Sequence, residues 1–510
     1  MSAWAGCYET HVSAVYLLGD KALKIKKPVR TDFLDFSTVA AREAACLDEV
    51  RLNRRLSPDV YLGVSHIDLG DDQPEPAVVM RRLADGDRLS ERLRSDPRQL
   101  RDEIRATARL LAGFHERCEV ATGDESPGAW HRLAARWQRE WDELARLDSR
   151  LVGTARGGVG RSLGLRYLVG RRALIERRVA EGRVREGHGD LRAEHVYFTP
   201  DGIRVLDCVE FDERLRTTDV LSDIAFLAMD LEHRGAARVA NDLLADYAEF
   251  SGDVYPDSLR HFFTAQRALV RAKVALLRAR QNGDPAGEST ALLHLAESHL
   301  FAALPQLICV GGLPGSGKST LAAALAASRG AVYLSSDEIR HGLSVGETDR
   351  EPEGWETGRY SLHDTEAVYT ELLRRAEIAI ADGYSVVLDA SWRDAAQRER
   401  ARQLACHLGA SAVEIRCEID QMTARKRLAA RREGFSEAGV AVRDSMRTAF
   451  DTWPESRLII TDRDVETCCG LAIGVVNEVT GRLLDRFSRH VVREDGGLST
   501  PLEHELCQHV

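Results

Sequence analysis

Apolar and polar positions alternate with period two near the start of the chain, then shift to a period near 3.6. In HVSAVYLLGDKALKIKKPV (11–29) the alternation predicts two strands joined at Gly19-Asp20. On the second, Ala22, Lys24 and Lys26 alternate with Leu23 and Ile25, so one face is apolar and the other carries lysines. STVAAREAACLDEVRLNRRL (37–56) predicts an amphipathic helix with Ser37 as N-cap and Leu47, Val50 and Leu56 in its apolar stripe. YLGVSHIDL and PAVVMRRL predict further strands. From about 86 to 185 the spacing is helical, most clearly in WHRLAARWQREWDELARL, where Trp130, Leu133, Trp137 and Trp141 share a stripe suited to core packing. Helices continue from Asp219 to about Arg280, QNGDPAGEST reads as a turn or linker, and ALLHLAESHLFAAL forms one more helix ahead of Pro305. Past that boundary short apolar runs (LICV, AVYL, SVVLD, AVEI, RLII) alternate with helical segments, as buried strands would.

Composition narrows the class. A chain of 510 residues is long enough for two or three domains. A net charge of −10 offers no global basic field for nucleic acid or for an acidic membrane surface. No run of about 18 apolar residues occurs, and MSAWAGCYET has neither the basic nor the apolar region of a leader. The ten cysteines are scattered without C-x-x-C spacing. A cytoplasmic protein without a membrane span is expected. The sequence leaves the oligomeric state open.

The strongest chemical signal is Gly312–Ser319, which fits the phosphate-binding pattern G-x-x-x-x-G-K-[ST] between the LICV strand and an alanine- and leucine-rich helix. Glycines let backbone N–H groups curl inward, and the helix start adds a positive end. Gly312, Leu313, Pro314, Gly315, Ser316, Gly317, Lys318, Ser319 and Thr320 are the candidate nucleotide-binding residues, with Lys318 on the β- and γ-phosphates and Ser319 on Mg²⁺. Asp337 ends the next strand and is expected on the strand adjoining the loop, facing the γ-phosphate, to accept a hydroxyl proton; Arg340 is expected to hold the acceptor. Asp389 ends another buried strand and is the candidate second carboxylate near Mg²⁺. Arg427 and Arg431, four apart, share a helical face. The S-D-E-I-R segment (336–340) resembles polynucleotide 5′-kinases and zeta-toxin-like kinases. That resemblance, over about 305–465, implies a three-layer α/β/α P-loop NTPase fold with a parallel sheet, in which Arg427 and Arg431 lie on a lid closing over the phosphates.

The region GHGDLRAEHVYFTPDGIRVLDCVEFDERLRTTDVLSDIAFLAMDLE (187–232) resembles the aminoglycoside phosphotransferase branch of the protein-kinase-like fold. This resemblance, over about 10–280, implies a two-lobed α+β domain in which Asp190 is the catalytic base and Asp207 a metal ligand. Asp219 and Asp223 then brace the loop. Phosphoryl transfer needs a positioned carboxylate, a cation and Mg²⁺. Lys24 is the candidate cation, with Lys26 the competitor; Glu49, or else Glu43, is its candidate partner on the helix. Two positions depart from the family pattern. His195 stands where a second metal-binding Asn is expected, and Arg192 replaces a histidine. Imidazole is a poor Mg²⁺ ligand. The lobe is therefore expected to use one metal, to prefer Mn²⁺, or to bind nucleotide without turnover.

The chain thus reads as α/β and α+β: a kinase-like small lobe (1–85), a phosphotransferase-like large lobe (86–304), a P-loop kinase domain (305–490) and a polar tail (491–510). The expected activity is transfer of phosphate from ATP to a small hydroxylated acceptor at one or both sites. The alternatives are a nucleotide-binding regulatory protein with a degenerate kinase-like domain and a polynucleotide 5′-kinase, the latter disfavoured by the acidic charge. The pattern does not choose between ATP and GTP, nor does it name the acceptor.

Overall fold

The computed structural model describes residues 5–9, 12–31, 34–68, 73–94, 97–153, 155–343, 362–430 and 440–490. Arg431 and the polar tail lie outside the described residues. The chain forms two compact units, and neither is contiguous. The first comprises residues 1–136, 176–255 and 263–296; the second comprises 137–175, 256–262 and 297–510.

In the first unit, strands β1 (Ala5–Glu9), β2 (Ser13–Leu18) and β3 (Lys21–Lys26) form an antiparallel meander. β4 (Tyr61–Ile67) and β5 (Glu75–Arg81) complete the sheet in the order β1-β2-β3-β5-β4. Helix α1 (Val39–Asn53) lies between β3 and β4 in sequence. Its N-cap is Thr38, which accepts a hydrogen bond from Ala41 N at 3.1 Å, whereas Ser37 donates to Asp35. The expected cap is thus displaced by one residue. Leu47 is exposed. Val50 and Leu56 of the expected stripe are buried, and the helix also buries Arg42, Cys46, Glu49, Leu52 and Asn53, of which the polar three are what an apolar-stripe reading does not find. The same inversion occurs on β3, where Lys26 is 1% exposed. The lysine face is the buried one because carboxylates await it there.

The rest of this unit is mainly helical. Helices α2 (Pro97–Arg117), α3 (Val220–His233) and α4 (Ala237–Ser251) surround short two-stranded ladders, β6 (Val184–Glu186) with β9 (Thr217–Asp219), and β7 (Val196–Thr199) with β8 (Gly202–Val205). Helix α5 (Asp257–Asn282) contributes its later turns. Asp219 caps α3 by accepting from Leu221 N at 2.8 Å, while both its oxygens accept from Arg178 at 2.6 and 2.8 Å. Arg178 reaches Asp253 as well, at 3.0 and 2.8 Å. One buried guanidinium therefore joins the start of α3 to the chain after α4.

The second unit is a three-layer sandwich. Five parallel strands, β10 (Gln306–Gly311), β11 (Val332–Ser335), β12 (Val386–Asp389), β13 (Ser411–Glu418) and β14 (Arg457–Ile460), run in the order β11-β12-β10-β13-β14. Period-two alternation along a doubly covered strand serves two cores. Leu307 and Cys309 face α8 (Leu362–Ala381) and α9 (Ala395–His407), while Ile308 and Val310 face α6 (Lys318–Arg329) and α11 (Val465–His490). Helices α7 (Ser336–Leu343) and α10 (Gln421–Ala430) belong to the same unit. The strand order corrects one expectation: β12, which carries Asp389, adjoins the phosphate-loop strand, and the strand before Asp337 is one place further out. Sequence adjacency of β10 and β11 misleads here, because parallel strands need a crossover and the chain skips a position. Among the described residues, no helix is long and apolar enough to cross a membrane.

Candidate functional site

Each unit holds a cluster of candidate residues. In the first, the loop after β6 carries His188, Asp190, Arg192 and His195. Gly189 has φ 85°, and a Cβ there would stand 3.0 Å from Arg216 Cα. Asp223, fully buried on the first turn of α3, pins this loop by accepting from His188 N at 2.7 Å and Gly189 N at 2.9 Å. His115 Nε2 lies 3.1 Å from the same carboxylate. Burial opposes ionisation of Asp223, but the His115 hydrogen bond and nearby histidines hold it well below the usual carboxylate range. The Asp190 amide donates to His188 Nδ1 at 3.2 Å, so Nε2 carries the proton and donates to Leu206 O at 2.9 Å. Burial pushes this imidazole down to about 4.

Asp190 is clasped by Arg192. Nε lies 3.0 and 3.1 Å from its two oxygens, and a terminal nitrogen lies 3.0 Å from one of them. The guanidinium outweighs burial and keeps the Asp190 pKa low. Arg192 also bonds Glu194 and lies 3.0 Å from His195 Nε2. His195 Nδ1 donates to Asp190 O at 2.8 Å, so Nε2 is the acceptor in the Arg192 contact. That lone pair, the one a metal would need, already receives an N–H. Asp207 Oδ2 is 3.6 Å from the same nitrogen.

Asp207 follows β8 in a left-handed conformation, φ 65°, unusual for a residue with a Cβ. Its amide donates to Tyr61 Oη at 3.2 Å, and its Oδ1 accepts from Lys24 Nζ at 2.7 Å. Lys24 holds the carboxyl well below the ordinary range. Lys24 also reaches Glu49 Oε1 at 2.8 Å, and Lys26 takes Glu49 Oε2 at 2.8 Å together with Glu210. Both lysines therefore share one buried glutamate, where the alternation had made them competitors. Glu43 is elsewhere, paired with His66 at 3.1 Å. Burial opposes ionisation of Glu49, yet the two ammoniums hold its pKa down; burial and the Glu49 charge push Glu210 up. Asn53 fixes the geometry by donating to Glu49 O at 2.9 Å and accepting from Cys208 N at 2.9 Å. Sequence reasoning missed Asn53, Tyr61 and Glu210. Only Glu210 left a signal, an acid three residues after Asp207.

In the second unit, β10 ends at Gly311, whose missing Cβ makes room for Trp453 and Trp392. Gly312, Gly315 and Gly317 have φ of 141°, 80° and 83°. A Cβ on Gly312 would meet Cys417 O at 2.5 Å. Gly312 N donates to Ser391 O at 3.1 Å, and Ser316 N to Leu313 O at 3.1 Å. Arg443 bonds Pro314 O, and Thr461 bonds Ser316 O. Thus Leu313 to Ser316 curl on fixed supports, and α6 starts at Lys318 with Gly317 as its cap. Lys318 and Ser319 are half-buried; Thr320 is exposed.

Val310, just before the loop, pairs in register with Asp389. Asp389 is 3% exposed, and its Oδ2 accepts from Tyr333 Oη at 2.9 Å. Its Oδ1 and Ser316 Oγ are buried with no hydrogen-bond partner among the described residues. Buried acceptors are rarely left so, and an orphaned carboxylate oxygen beside a phosphate loop fits a hydrated cation. Asp337 and Arg340, half-buried, lie on the first turns of α7. Arg427 is exposed and donates to Thr461 O at 2.8 Å; one of its nitrogens is 3.1 Å from where a Gly317 Cβ would stand. Tyr333 and Thr461 supply bonds that no spacing rule singles out.

Two family models match the chain. The family described as "Phosphotransferase enzyme family" matches residues 14–262, and that described as "AAA domain" matches 307–452. The uncharacterized proteins Rv2004c of Mycobacterium tuberculosis (strain H37Rv) and Mb2027c of Mycobacterium bovis are each 38% identical over 471 residues, covering 91% of this chain and 94% of theirs. Among solved structures, a choline/ethanolamine kinase family protein from Mesorhizobium loti covers 59% of this chain and 89% of its own, at 17% identity and TM-score 0.35. A gluconokinase from Sinorhizobium meliloti covers 36% of this chain and 98% of its own, at 15% identity and TM-score 0.28.

Proposed function

Because this chain belongs to the family of its mycobacterial relatives, with a phosphotransferase-family half and a P-loop AAA half, we propose that it transfers the γ-phosphate of ATP to a small hydroxylated acceptor. The observation that carries this reading is the phosphate loop: three left-handed glycines and a helix start at Lys318, beside a buried Asp389 oxygen with no hydrogen-bond partner among the described residues. Such a loop presents backbone N–H groups to an anion. In this reading Lys318 neutralises the β- and γ-phosphates, and Asp337 accepts the proton of the attacking hydroxyl. The acceptor oxygen bonds to the γ-phosphorus, the β–γ bridging bond breaks, and ADP leaves. Arg340 positions the acceptor. Arg427, with Arg431, stabilises charge in transfer, as in the zeta-toxin and polynucleotide-kinase types. Ser319 and Asp389 would hold Mg²⁺, which when bound neutralises phosphate charge.

In the first unit, Asp190 has the corresponding role of base, Lys24 holds phosphate from its seat on Glu49, and Asp207 would hold the metal. The Arg192–His195 contact argues against His195 as a ligand, so a one-metal site fits best. The same contact favours a second reading, in which this unit binds nucleotide with little turnover, because the Asp190 carboxylate is occupied.

The test is a metabolite-library phosphorylation assay on the wild type, Lys318→Ala and Asp190→Ala. Product lost only in Lys318→Ala belongs to the phosphate loop, and product lost only in Asp190→Ala to the first unit. Absence of product with Mg²⁺ or Mn²⁺, alongside tight ATP binding, would replace the kinase reading by the nucleotide-gated one.

A further inference from the structure

We propose that Tyr333 is a positioning residue that leaves Asp389 one free oxygen, and that the phosphate-loop site thereby selects a small hydrated divalent cation over a larger one. This rests on the reading of the second unit as a site for a metal-bound nucleotide. Strands β11 and β12 run parallel with Tyr333 beside Val387, and Asp389 is two residues further on. Side chains two apart share a face of a sheet, so Tyr333 and Asp389 stand on the same one. That face is covered by α6, the helix that the phosphate loop leads into. Val387 packs there with Leu321 and Leu325, and Tyr333 lies against the same cluster.

The carboxylate has two unlike oxygens. Oδ2 accepts from Tyr333 Oη at 2.9 Å, whereas Oδ1 is buried and has no hydrogen-bond partner among the described residues. Burial and the Asp389 charge raise the phenol pKa, so the hydroxyl keeps its proton and donates it. The donor is neutral, and Asp389 is 3% exposed, so this bond leaves a buried negative charge uncompensated. A cation is what such an oxygen lacks.

Tyr369, the other phenol at this end of β12, shows what a structural tyrosine looks like here. It is buried, accepts from Trp392 N at 3.0 Å and lies 3.2 Å from Ser391 Oγ, so it serves the backbone and a hydroxyl. The Tyr333 hydroxyl goes instead to the carboxylate whose register partner, Val310, precedes the loop. This lock has a chemical consequence. Mg²⁺ keeps several waters and needs one oxygen from a carboxylate, whereas Ca²⁺ gathers more oxygens and readily uses both. A carboxylate held by Tyr333 meets the first demand and not the second. Freed of the phenol, Asp389 can turn and offer both oxygens.

The test uses full-length protein and a fluorescent, non-hydrolysable ATP analogue, titrated in Mg²⁺, in Ca²⁺ and in EDTA. The binding that Lys318→Ala removes is assigned to the phosphate loop. Tyr333→Phe keeps the ring that packs in the cluster and removes the hydroxyl. It should lower the ratio of the Kd in Ca²⁺ to the Kd in Mg²⁺ about 10-fold, the effect of one hydrogen bond to a charged group, and leave the Kd in EDTA unchanged. Tyr369→Phe should leave the ratio as it is.

A ratio unmoved by Tyr333→Phe, or lowered equally by Tyr369→Phe, overturns the proposal and leaves the nucleotide reading standing. So does a change of equal size in Mg²⁺, Ca²⁺ and EDTA, which is what a packing defect produces. Wild-type protein that takes the analogue equally well with either ion overturns the proposal without any substitution, which decides the matter should Tyr333→Phe not fold. If Lys318→Ala removes no binding, the loop holds no nucleotide, and the proposed function of this unit falls together with the role of Tyr333.

Discussion

Glu49→Gln is the sharpest probe of the first unit. The substitution keeps shape and removes one buried charge on which two lysines converge, Lys24 and Lys26, each at 2.8 Å. Neither ammonium is orphaned, since Lys24 keeps Asp207 and Lys26 keeps Glu210. The penalty is therefore below the 3–5 kcal/mol roughly expected when a buried ion loses its whole partner. Two charge-assisted hydrogen bonds at about 1.5–3 kcal/mol each set an upper bound, and relief of the Glu49–Glu210 repulsion returns part of it. About 3 kcal/mol remains. The chain has two units, so a single melting temperature would mix them. Hydrogen exchange of peptides from β3 and α1 reads the affected unit directly. About 3 kcal/mol corresponds to exchange accelerated on the order of 100-fold through opening of that unit. Peptides from β10 and β12 should be unchanged. Lys24, released from Glu49, should tighten onto Asp207 and compete with a metal there, weakening Mg·ATP binding at this site. Acceleration below about 5-fold in β3 and α1 would refute the claim that the shared glutamate organises the lysine face.

Other outcomes follow from the same geometry. Gly312→Ala places a Cβ 2.5 Å from Cys417 O at φ 141° and should abolish nucleotide binding in a fluorescent-ATP titration. Gly330→Ala, at φ 60° in open space, should cost about 1 kcal/mol and leave that titration intact. His188 has a native pKa of about 4 against 6.5 when unperturbed, so the unfolded chain binds the extra proton. Its contribution is full above pH 6.5 and disappears as pH falls towards 4, by at most about 3 kcal/mol; urea midpoints at pH 7.5 and 4.5 should show a smaller difference in His188→Asn. Arg178→Met leaves Asp219 and Asp253 buried without their shared guanidinium and should cost about 3–5 kcal/mol, seen as loss of exchange protection at the start of α3.

The sequence exposes what local chemistry dictates. A strand–glycine-turn–helix at 306–329 can be read because only glycine fits φ values of 80° and above, and the spacing is rigid. The parallel sheet is legible because strands covered on both faces are apolar throughout. Polar burial is not legible. Lys24, Lys26 and Glu49 look solvated until the loop after β8 brings Asp207 to Lys24 and Glu210 to Lys26, each over 180 residues away in sequence. For the same reason the stripe of α1 pointed to Leu47, which faces water. Strand order was hidden too, since the crossover that inserts β12 between β10 and β11 leaves no local trace.

Under the proposed function the two sites would meet one electrostatic demand, stabilising a polyphosphate, with different materials. The phosphate loop uses backbone amides held by Ser391, Arg443 and Thr461, and adds Lys318 at the helix start. Dipoles fixed by the fold carry no counter-charge that must be displaced, so this site is ready for an anion. The first unit uses side-chain charges, and each is matched: Lys24 by Glu49 and Asp207, Asp190 by Arg192. A nucleotide entering there must compete with Asp207 for Lys24, and an acceptor hydroxyl must compete with Arg192 for Asp190. If the first unit transfers phosphate as proposed, its own pairing would hold back turnover at this site until a ligand rearranges it. An acceptor bearing an anion can do so, because drawing Arg192 away from Asp190 both frees the carboxylate and raises its basicity. Turnover in the first unit should then rise with the negative charge of the acceptor, and Arg192→His, which removes the clasp, should flatten that dependence.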